Sequence, residues 1–341
     1  MSDDIRMVRR ISRHEFLGVA AAGAGVVLLG ACGGGGQGGG GQGGGGGETY
    51  RLTLIVGVTG DEFYTTMECG AQAAAQEVGA ELGVQGPEEF SAPEQTPILN
   101  AAVQASPDAI LIAPTDRTAM VAPIQSAVNQ DIPVVLVDTT IEKEEIALAR
   151  ISSDNIEGGK QAGEALAKQI GEEGKVMVIS VTPGISTTDQ RQQGFEEAIK
   201  KYPNIEYLGT EYCNDDPVRA ASITTSTLRS NPDLKGIFGA NVFSGQGAGT
   251  GVRQTGKKDE VSVVAFDASP TQVEDLRRGN VDVLIAQHPN DIGDRGIRIA
   301  VDYLKSGKEP SSKQITTGFT TVTRANLDKP EVQKYLYKAE C

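Results

Sequence analysis

The chain has 341 residues and a formal net charge of −14, and it contains only two histidines, His14 and His288. Such an acidic chain lacks the basic surface that binds phosphate groups, which excludes nucleic acid as an expected partner. Two histidines so far apart in the sequence do not indicate a histidine-based metal site, so we expect neither a metal ion nor a cofactor.

The first 31 residues have the pattern of an export signal peptide. A stretch with three arginines, 9–13, precedes an apolar Ala/Gly-rich run at 18–31 that is too short to span a membrane. The run ends in L-G-A-C at 29–32, which resembles a bacterial lipobox. This resemblance implies cleavage before Cys32 and lipid attachment to its sulfur, whereas an uncleaved start would leave Cys32 as a plain thiol. Residues 12–17 resemble a twin-arginine export motif in which His14 replaces the second arginine, so the export route stays open.

A glycine tract follows the lipobox. Residues 33–47 are glycine, interrupted only by Gln37 and Gln42, and such a sequence behaves as a flexible coil. We expect residues 32–48 to tether a folded body to the outer face of the cytoplasmic membrane, in an extracytoplasmic (periplasmic or cell-surface) location. The chain from about Glu48 onward is long enough for two lobes with separate cores.

Strand and helix patterns alternate regularly after the tether. In the first half, strands are predicted at 51–58, 81–84, 109–113, 131–138 and 146–151, with helices at 63–79, 95–105 and 118–129. The pattern then repeats, with helices at 157–170, 189–201, 217–230, 244–254 and 270–278 and strands at 175–180, 205–212, 236–240, 262–266 and 283–286. This alternation is typical of βαβ crossovers, and it predicts an α/β fold of two similar doubly wound parallel-sheet lobes. A helix at 294–305, a threonine-rich extended run at 315–323 and a helical piece at 330–338 follow the second half. The helix and the strand after it form a unit that could return to the first lobe.

The strand at 131–138 shows where ligands would bind. Val134 to Val137 is an apolar run without alternation, which is typical of a strand buried on both faces of a parallel sheet. Asp138 follows at its carboxyl end, the edge beyond which ligands bind in open α/β sheets. The alternative is that Asp138 only caps a turn or the next helix.

Polar and aromatic side chains follow most of the predicted strands. The candidates are Asp61, Phe63, Tyr64, Asp138, Thr139, Asn214, Asp215, Asn241, Asp267 and Gln287, and Arg191 adds a forked donor from the second half. Carboxylates, amides and guanidinium groups pair with neighbouring hydroxyls, and an aromatic ring packs on a C–H face, so this set suits a sugar or polyol. Each residue alone is equally explained as a turn or core residue.

Catalytic interpretations have less support. Asp138 and Asp267 could act as the acid and base of a glycosidase, but the sequence does not give their separation. The glycine patterns at 57–60 and 245–249 lack the spacing of a nucleotide-binding loop. We therefore expect a binding protein and not an enzyme.

Besides Cys32, the chain has three cysteines: Cys69, Cys213 and Cys341. Outside the cytoplasm a disulfide between Cys69 and Cys213 is permitted, but the sequence does not fix connectivity. Two separate buried thiols are the alternative.

A series of motifs, taken in order and spacing, resembles the type I periplasmic sugar-binding proteins, the ribose-binding protein group. They are F-Y at 63–64, C-G-A-Q at 69–72, A-P-T-D at 113–116, I-P-V at 132–134, S-D-N at 153–155, G-G-K at 158–160, Arg191 with G-F at 194–195, F-D at 266–267 and I-A-Q at 285–287. The likeness covers residues 50 to about 323. It implies a three-segment hinge near Ser153, Gln287 and Gly318. The implied N-terminal lobe comprises 49–153 and 288–318, and the C-terminal lobe comprises 154–287 and 319–341.

The resemblance also implies a ligand set and a function. Ligand contacts would fall on Asp61, Phe63, Tyr64, Asp138, Arg191, Asn241, Asp267 and Gln287, with a looser match at Asn214 and Asp215. The pattern departs at Thr139, where ribose binders carry arginine, and at Glu62, where they carry proline. The implied protein is a monomeric receptor that captures a small sugar or polyol between its lobes and delivers it to an ABC permease. Alternatives are a ligand-sensing ectodomain that feeds a kinase or chemoreceptor, and a glycosidase.

Overall fold

The computed structural model describes residues 49–341, so the predicted signal peptide, lipidated Cys32 and tether lie outside the described residues. The strands are β1 (Arg51–Ile55), β2 (Glu81–Gln85), β3 (Ala109–Ile112), β4 (Val134–Val137), β5 (Ala149–Ser153), β6 (Glu173–Ser180), β7 (Asn204–Tyr212), β8 (Leu234–Gly239), β9 (Ser262–Phe266), β10 (Val283–Gln287), β11 (Gln314–Thr317) and β12 (Phe319–Val322). The helices are α1 (Glu62–Val78), α2 (Ala92–Gln104), α3 (Val121–Val128), α4 (Asn155–Gln169), α5 (Ser186–Ile199), α6 (Pro217–Ser230), α7 (Val242–Gln254), α8 (Pro270–Arg278), α9 (Pro289–Ser306) and α10 (Pro330–Gln333). Within residues 49–341, no helix is both long enough and apolar enough to cross a membrane.

The strands form two six-stranded sheets. Sheet A has the order β2-β1-β3-β4-β5-β11, and all its neighbours pair in parallel. Sheet B has the order β7-β6-β8-β9-β10-β12, and only its edge strand β12 runs antiparallel to its neighbour. The predicted fold class, two parallel-sheet α/β lobes, is confirmed.

The central strands explain why the sequence folds this way. Every residue of β3 and β4 is buried, as expected for strands covered on both faces. Successive side chains of a strand point to opposite faces, and here Ile110 and Ile112 join one hydrophobic cluster while Leu111 joins another. Unbroken apolar runs therefore build two cores, one on each side of the sheet.

The chain passes between the sheets three times. It leaves sheet A after β5, returns after β10 through α9 and β11, and crosses again from β11 to β12. The run at 315–323, predicted as one extended stretch, is therefore two strands in different sheets, divided at Gly318. The residue limits of the two lobes stay a prediction.

Helix α9 returns to sheet A by packing closely on α1. A Cβ atom added at Gly70 of α1 would overlap the backbone carbonyl of Asn290, and one added at Gly293 of α9 would overlap the carbonyl of Met67. The two helices therefore approach through glycines, with no side chain between their backbones at these points.

We expect Gly70→Ala to lower the free energy of unfolding by about 1–3 kcal/mol, because backbone atoms cannot move aside as a side chain can. The control is Gly83→Ala in β2, where the added Cβ would meet only the Leu52 carbonyl oxygen at 4.0 Å. Chemical denaturation measures both variants. Equal stability of Gly70→Ala and the wild type would contradict the close packing.

The structure corrects the predicted cysteine pairing. Cys69 is bonded to Cys341, with their Cα atoms 5.3 Å apart, and Cys213 is a buried free thiol. A Cys69–Cys213 bond is wrong because Cys69 lies on α1, beside sheet A, whereas Cys213 follows β7 at the far edge of sheet B. The predicted helix at 330–338 ends at Gln333, and the chain beyond it runs back to α1.

Candidate ligand-binding site

The carboxyl ends of both sheets border one cleft. Its lining consists of Asp61, Phe63, Tyr64, Phe90, Asp138, Val181, Ile185, Thr187, Thr188, Arg191, Asp215, Asn241, Asp267 and Gln287. The cleft encloses about 400 Å³ of empty space, including its opening to solvent. This is the position at which open α/β sheets bind ligands, and the space suits a small molecule.

Asp138 and Asp267 occupy equivalent places in the two sheets. Asp138 follows β4 and donates its backbone N–H to Ile151 of β5, while Asp267 follows β9 and donates to Ile285 of β10. Both residues have a positive φ, 63° and 76°. Non-glycine residues adopt this left-handed conformation at a cost, and such residues cluster at functional sites. The backbone thus holds one carboxyl group from each sheet at the cleft.

Arg191 on α5 is the one cationic side chain of the lining, and it is only 3% exposed. Its Nε donates to Asn155 Oδ1 and its Nη1 to the Ala240 carbonyl, both at 2.8 Å. Nη1 lies 3.9 Å from Asp267 Oδ2, and the guanidinium lies over the Phe266 ring, 3.9 Å from its centroid. These contacts fix the plane of the guanidinium, whose remaining N–H groups are donors for a ligand.

Gln287 carries a buried side-chain oxygen that has no hydrogen-bond partner. Its Nε2 donates to Asp267 Oδ1 at 2.7 Å, and Tyr337 Oη donates to the same oxygen at 2.8 Å. Among the buried side-chain nitrogen and oxygen atoms of residues 49–341, only Gln287 Oε1 has no hydrogen-bond partner. A buried acceptor without a donor is unfavourable, so this oxygen is poised to accept a hydrogen bond from a ligand.

The start of α1 supplies a carboxyl group and two aromatic rings. Asp61 caps the helix by accepting the Phe63 N–H at 2.8 Å. Tyr64 donates its hydroxyl to Asp138 Oδ2 at 2.9 Å, and its ring meets Phe63 edge to face. Beyond the carboxyl end of sheet B, Asn241 Nδ2 donates to Asp215 Oδ1 at 2.6 Å. Hydrogen bonds within the protein therefore orient each of these polar side chains.

The cleft places four carboxyl groups around one guanidinium. Burial raises the pKa of Asp138 to about 6, although Arg191 and the Tyr64 hydroxyl oppose the rise. Burial likewise raises the pKa of Asp215 to about 6. The pKa of Asp61 lies well above its ordinary value because of burial and the nearby Asp267, whose own pKa burial also raises. The ionised carboxyl groups accept hydrogen bonds and Arg191 donates them, so the site suits a ligand with several O–H groups.

The structure brings most of the residues predicted as ligand contacts to this cleft. Asp61, Phe63, Tyr64, Asp138, Arg191, Asp215, Asn241, Asp267 and Gln287 all line it. Thr139 and Asn214 do not. Thr139 is buried and donates its hydroxyl to the Pro114 carbonyl at 2.7 Å, and Asn214 is exposed in an outer groove beside the cleft. Their predicted contact with a ligand has no support in this geometry.

Five lining residues were not predicted as contacts: Phe90, Val181, Ile185, Thr187 and Thr188. Val181 directly follows β6, so position at a strand end was a signal for it, but it lacks the polar side chain that marked the others. Thr187 and Thr188 precede Arg191 by four and three positions on α5, the spacing that places residues on one helical face. Phe90 lies between β2 and α2, where no pattern in the sequence indicates it.

Comparison with known proteins agrees with this architecture. Residues 52–309 match the model of the family described as periplasmic binding protein domain. The ribose import binding protein of Escherichia coli is 30% identical over 257 residues, which cover 75% of this chain and 86% of that protein. The chain belongs to the periplasmic binding protein family, and the predicted resemblance to type I periplasmic sugar-binding proteins is confirmed.

Solved structures of sugar-bound transporter proteins are also similar to this chain. A solute-binding protein of an ABC transporter from Agrobacterium vitis, bound with α-D-tagatopyranose, is 43% identical with a TM-score of 0.83, covering 85% of this chain and 100% of that one. A second from Agrobacterium vitis, with bound D-fucose, is 31% identical with a TM-score of 0.80, covering 84% and 100%. Both are described as solute-binding proteins of ABC transporters.

Proposed function

We propose that this protein is an extracytoplasmic receptor that captures a monosaccharide or small polyol in the cleft and delivers it to an ABC importer. The observation that carries the proposal is the unpartnered Gln287 Oε1, a buried acceptor in a cleft already rich in carboxylates. Sugar hydroxyls both donate and accept, so one can donate to this oxygen while another accepts from Arg191. The ligand thus completes hydrogen bonding that the protein alone leaves incomplete.

The rest of the lining suits the same ligand class. Phe63, Tyr64 and Phe90 offer aromatic surface for the C–H face of a sugar ring, and Thr187 and Thr188 offer hydroxyls. The cleft volume of about 400 Å³, part of which is open to solvent, suits a single small ring better than an oligosaccharide. The names of the relatives, which refer to ribose, tagatopyranose and fucose, support a monosaccharide.

We further propose that closure of the two lobes buries the ligand and that the closed form is presented to the permease. Three crossings between the sheets support hinge motion of this kind. The remaining parts of the proposal, lipid attachment at Cys32, a membrane-anchored tether at 32–48 and a monomeric state, rest on the sequence pattern and on the family. Mass spectrometry of the membrane fraction tests the anchor.

Isothermal titration against D-ribose, D-tagatose, D-fucose, D-arabinose and myo-inositol tests the ligand class. We expect at least one to bind with a Kd of about 1 μM or tighter, and a disaccharide such as sucrose to give no heat. The matched variants are Gln287→Met, which removes the unpartnered acceptor, and Gln104→Met, which changes an exposed glutamine at the end of α2.

Gln287→Met is expected to weaken binding by about tenfold or more, because it removes the acceptor for the ligand and also the Nε2 donor to Asp267, and the loss of a buried hydrogen bond costs about 1–3 kcal/mol. Gln104→Met is expected to leave binding unchanged. Recovery of the sugar unaltered after incubation would agree with binding without turnover. Absence of binding to every monosaccharide and polyol of the panel would refute the sugar assignment.

A further inference from the structure

The C-terminal tail, residues 324–341, leaves sheet B and ends on α1 beside sheet A. At its start, Arg324 donates to the Val281 carbonyl at 3.1 Å and pairs with Asp282 at 3.2 Å, both next to sheet B. At its end, the Lys338 N–H donates to the Thr66 hydroxyl of α1 at 2.8 Å, and Cys341 is bonded to Cys69 of the same helix. The tail is therefore a fourth link between the two sheets, and this one is closed by a covalent bond between side chains.

Between these two attachments, the side chain of Tyr337 contacts Asp267 and Gln287 from outside the cleft. Its backbone N–H donates to the Ala268 carbonyl at 3.0 Å. Its hydroxyl donates to Asp267 Oδ1 at 2.8 Å and accepts the backbone N–H of Gln287 at 3.1 Å. Tyr337 is 5% exposed and does not line the cleft, so it acts on the ligand only through other residues.

The hydroxyl of Tyr337 occupies one carboxylate oxygen of Asp267 and holds the backbone N–H of Gln287. Because Tyr337 and Gln287 Nε2 both donate to Asp267 Oδ1, the other carboxylate oxygen, Oδ2, is turned toward Arg191. Gln287 is in turn held at its backbone N–H and its Nε2, which leaves Oε1 as the atom without a partner. The ring of Tyr337 also meets Phe63 edge to face, with centroids 5.9 Å apart, and so contacts the cleft side of α1.

The tail also packs on one of the crossings between the sheets. The Tyr335 ring stacks on His288, with centroids 3.5 Å apart, and His288 directly follows β10 where the chain turns into α9. The Cys69 attachment lies near the same place, because the neighbouring Gly70 touches Asn290 at the start of α9. The tail is thus fixed close to this crossing, which is one of the three segments of the proposed hinge.

We propose that the C-terminal tail is a disulfide-anchored strap whose Tyr337 is a positioning residue for the ligand-binding side chains of Asp267 and Gln287. The inference rests on the proposed sugar-binding function for its effect on affinity. Its effect on the ligand-free protein, the orientation of Gln287, does not depend on any ligand.

The matched pair of variants is Tyr337→Phe and Tyr335→Phe. Each removes one hydroxyl from the same tail and keeps the ring, but only Tyr337 hydrogen-bonds to Asp267 and Gln287. Titration with the tightest sugar of the panel should show about tenfold weaker binding for Tyr337→Phe, which corresponds to about 1.4 kcal/mol, and wild-type affinity for Tyr335→Phe. Denaturation of both variants checks that they remain folded. Equal affinity of Tyr337→Phe and the wild type would overturn the positioning role.

The disulfide is tested by reduction. The wild type is titrated with and without a phosphine reductant, beside a Cys69→Ser/Cys341→Ser variant under the same two conditions. We expect the reductant to weaken binding by the wild type several-fold, to the affinity of the double variant, and to leave the double variant unaffected. Unchanged affinity in both the reduced wild type and the double variant would show that the anchor does not serve the site.

Hydrogen exchange of the ligand-free protein separates this inference from the proposed function. Tyr337→Phe removes the acceptor of the Gln287 amide, so exchange at residue 287 should be about tenfold faster than in the wild type or Tyr335→Phe. If no sugar binds to the wild type but this exchange result holds, the proposed function fails and the positioning of Gln287 stands. If sugar binds but exchange at residue 287 is unchanged by Tyr337→Phe, the positioning role fails and the proposed function stands.

Discussion

Arg191→Ala is expected to raise the Kd for the bound sugar at least about 100-fold, a loss of about 2.7 kcal/mol. Arg191 is the one cation among the lining residues, and hydrogen bonds to charged groups contribute about 1.5–3 kcal/mol each. Its removal deletes forked donors to the ligand and leaves Asp267 and Asp138 without the positive charge that lowers their pKa values. Isothermal titration of the variant measures the loss.

Two further variants test whether the loss of affinity is specific to the guanidinium of Arg191. Arg295 is an exposed arginine on α9, and Arg295→Ala should bind sugar as the wild type does. Arg191→Lys keeps the charge but loses the planar fork that donates to both Asn155 and Ala240. Its affinity should therefore lie between that of Arg191→Ala and that of the wild type. Denaturation confirms that each variant is folded. Wild-type affinity in Arg191→Ala would remove this residue from the site.

Acidification is expected to weaken sugar binding while it stabilises the ligand-free protein. Hydroxyl groups donate to ionised carboxylates, so binding favours the deprotonated forms of Asp138 and Asp215, whose pKa values in the free protein are about 6. Affinity should therefore be full at pH 7 to 8 and should fall as the pH drops through about 6. Titration from pH 5 to 8 measures it, and an affinity that is constant or rises on acidification would contradict this assignment.

The effect on stability has the opposite sign. The pKa of Asp138 is about 6 in the folded chain and near 3.8 in an unfolded one, so between these values the folded state binds the proton more tightly. Its contribution to stability is fully present below about pH 3.8 and is lost as the pH rises through 6. A pKa difference of this size changes the free energy of unfolding by on the order of 3 kcal/mol between low and high pH.

Urea unfolding of the ligand-free protein at pH 5 and pH 7 checks the sign. Asp138→Asn cannot ionise and still accepts the Tyr64 hydroxyl, so it should be more stable than the wild type at pH 7 and show a smaller difference between the two pH values. A wild type and variant with the same pH dependence would show that Asp138 does not titrate in this range.

The sequence predicts those parts of the molecule that follow from local pattern. Unbroken apolar runs locate β3 and β4. The expectation that polar residues just after a strand line the cleft finds Asp138 beside sheet A and Asp267 beside sheet B. Local pattern does not show which way the next side chain turns: Thr139, two positions beyond the end of β4, donates its hydroxyl to the Pro114 carbonyl. Phe90 belongs to a connecting segment whose path no periodicity describes.

Local sequence patterns do not predict the contacts of the C-terminal tail. The Cys69–Cys341 pairing joins residues 272 positions apart, and only the packed path of the tail brings them together. Tyr337 likewise has no motif around it, and its contact with Asp267 depends on the docking of the whole segment. Long-range contacts of this kind are decided by tertiary packing, which a single sequence does not display.

A crystal structure of the protein with the tightest-binding sugar of the panel tests the central claim most directly. We predict one sugar ring in the cleft between the carboxyl ends of sheets A and B, with a hydroxyl within hydrogen-bond distance of Gln287 Oε1 and another contacting Arg191. A sugar bound outside this cleft, or bound within it while Gln287 Oε1 still lacks a donor, would contradict the account.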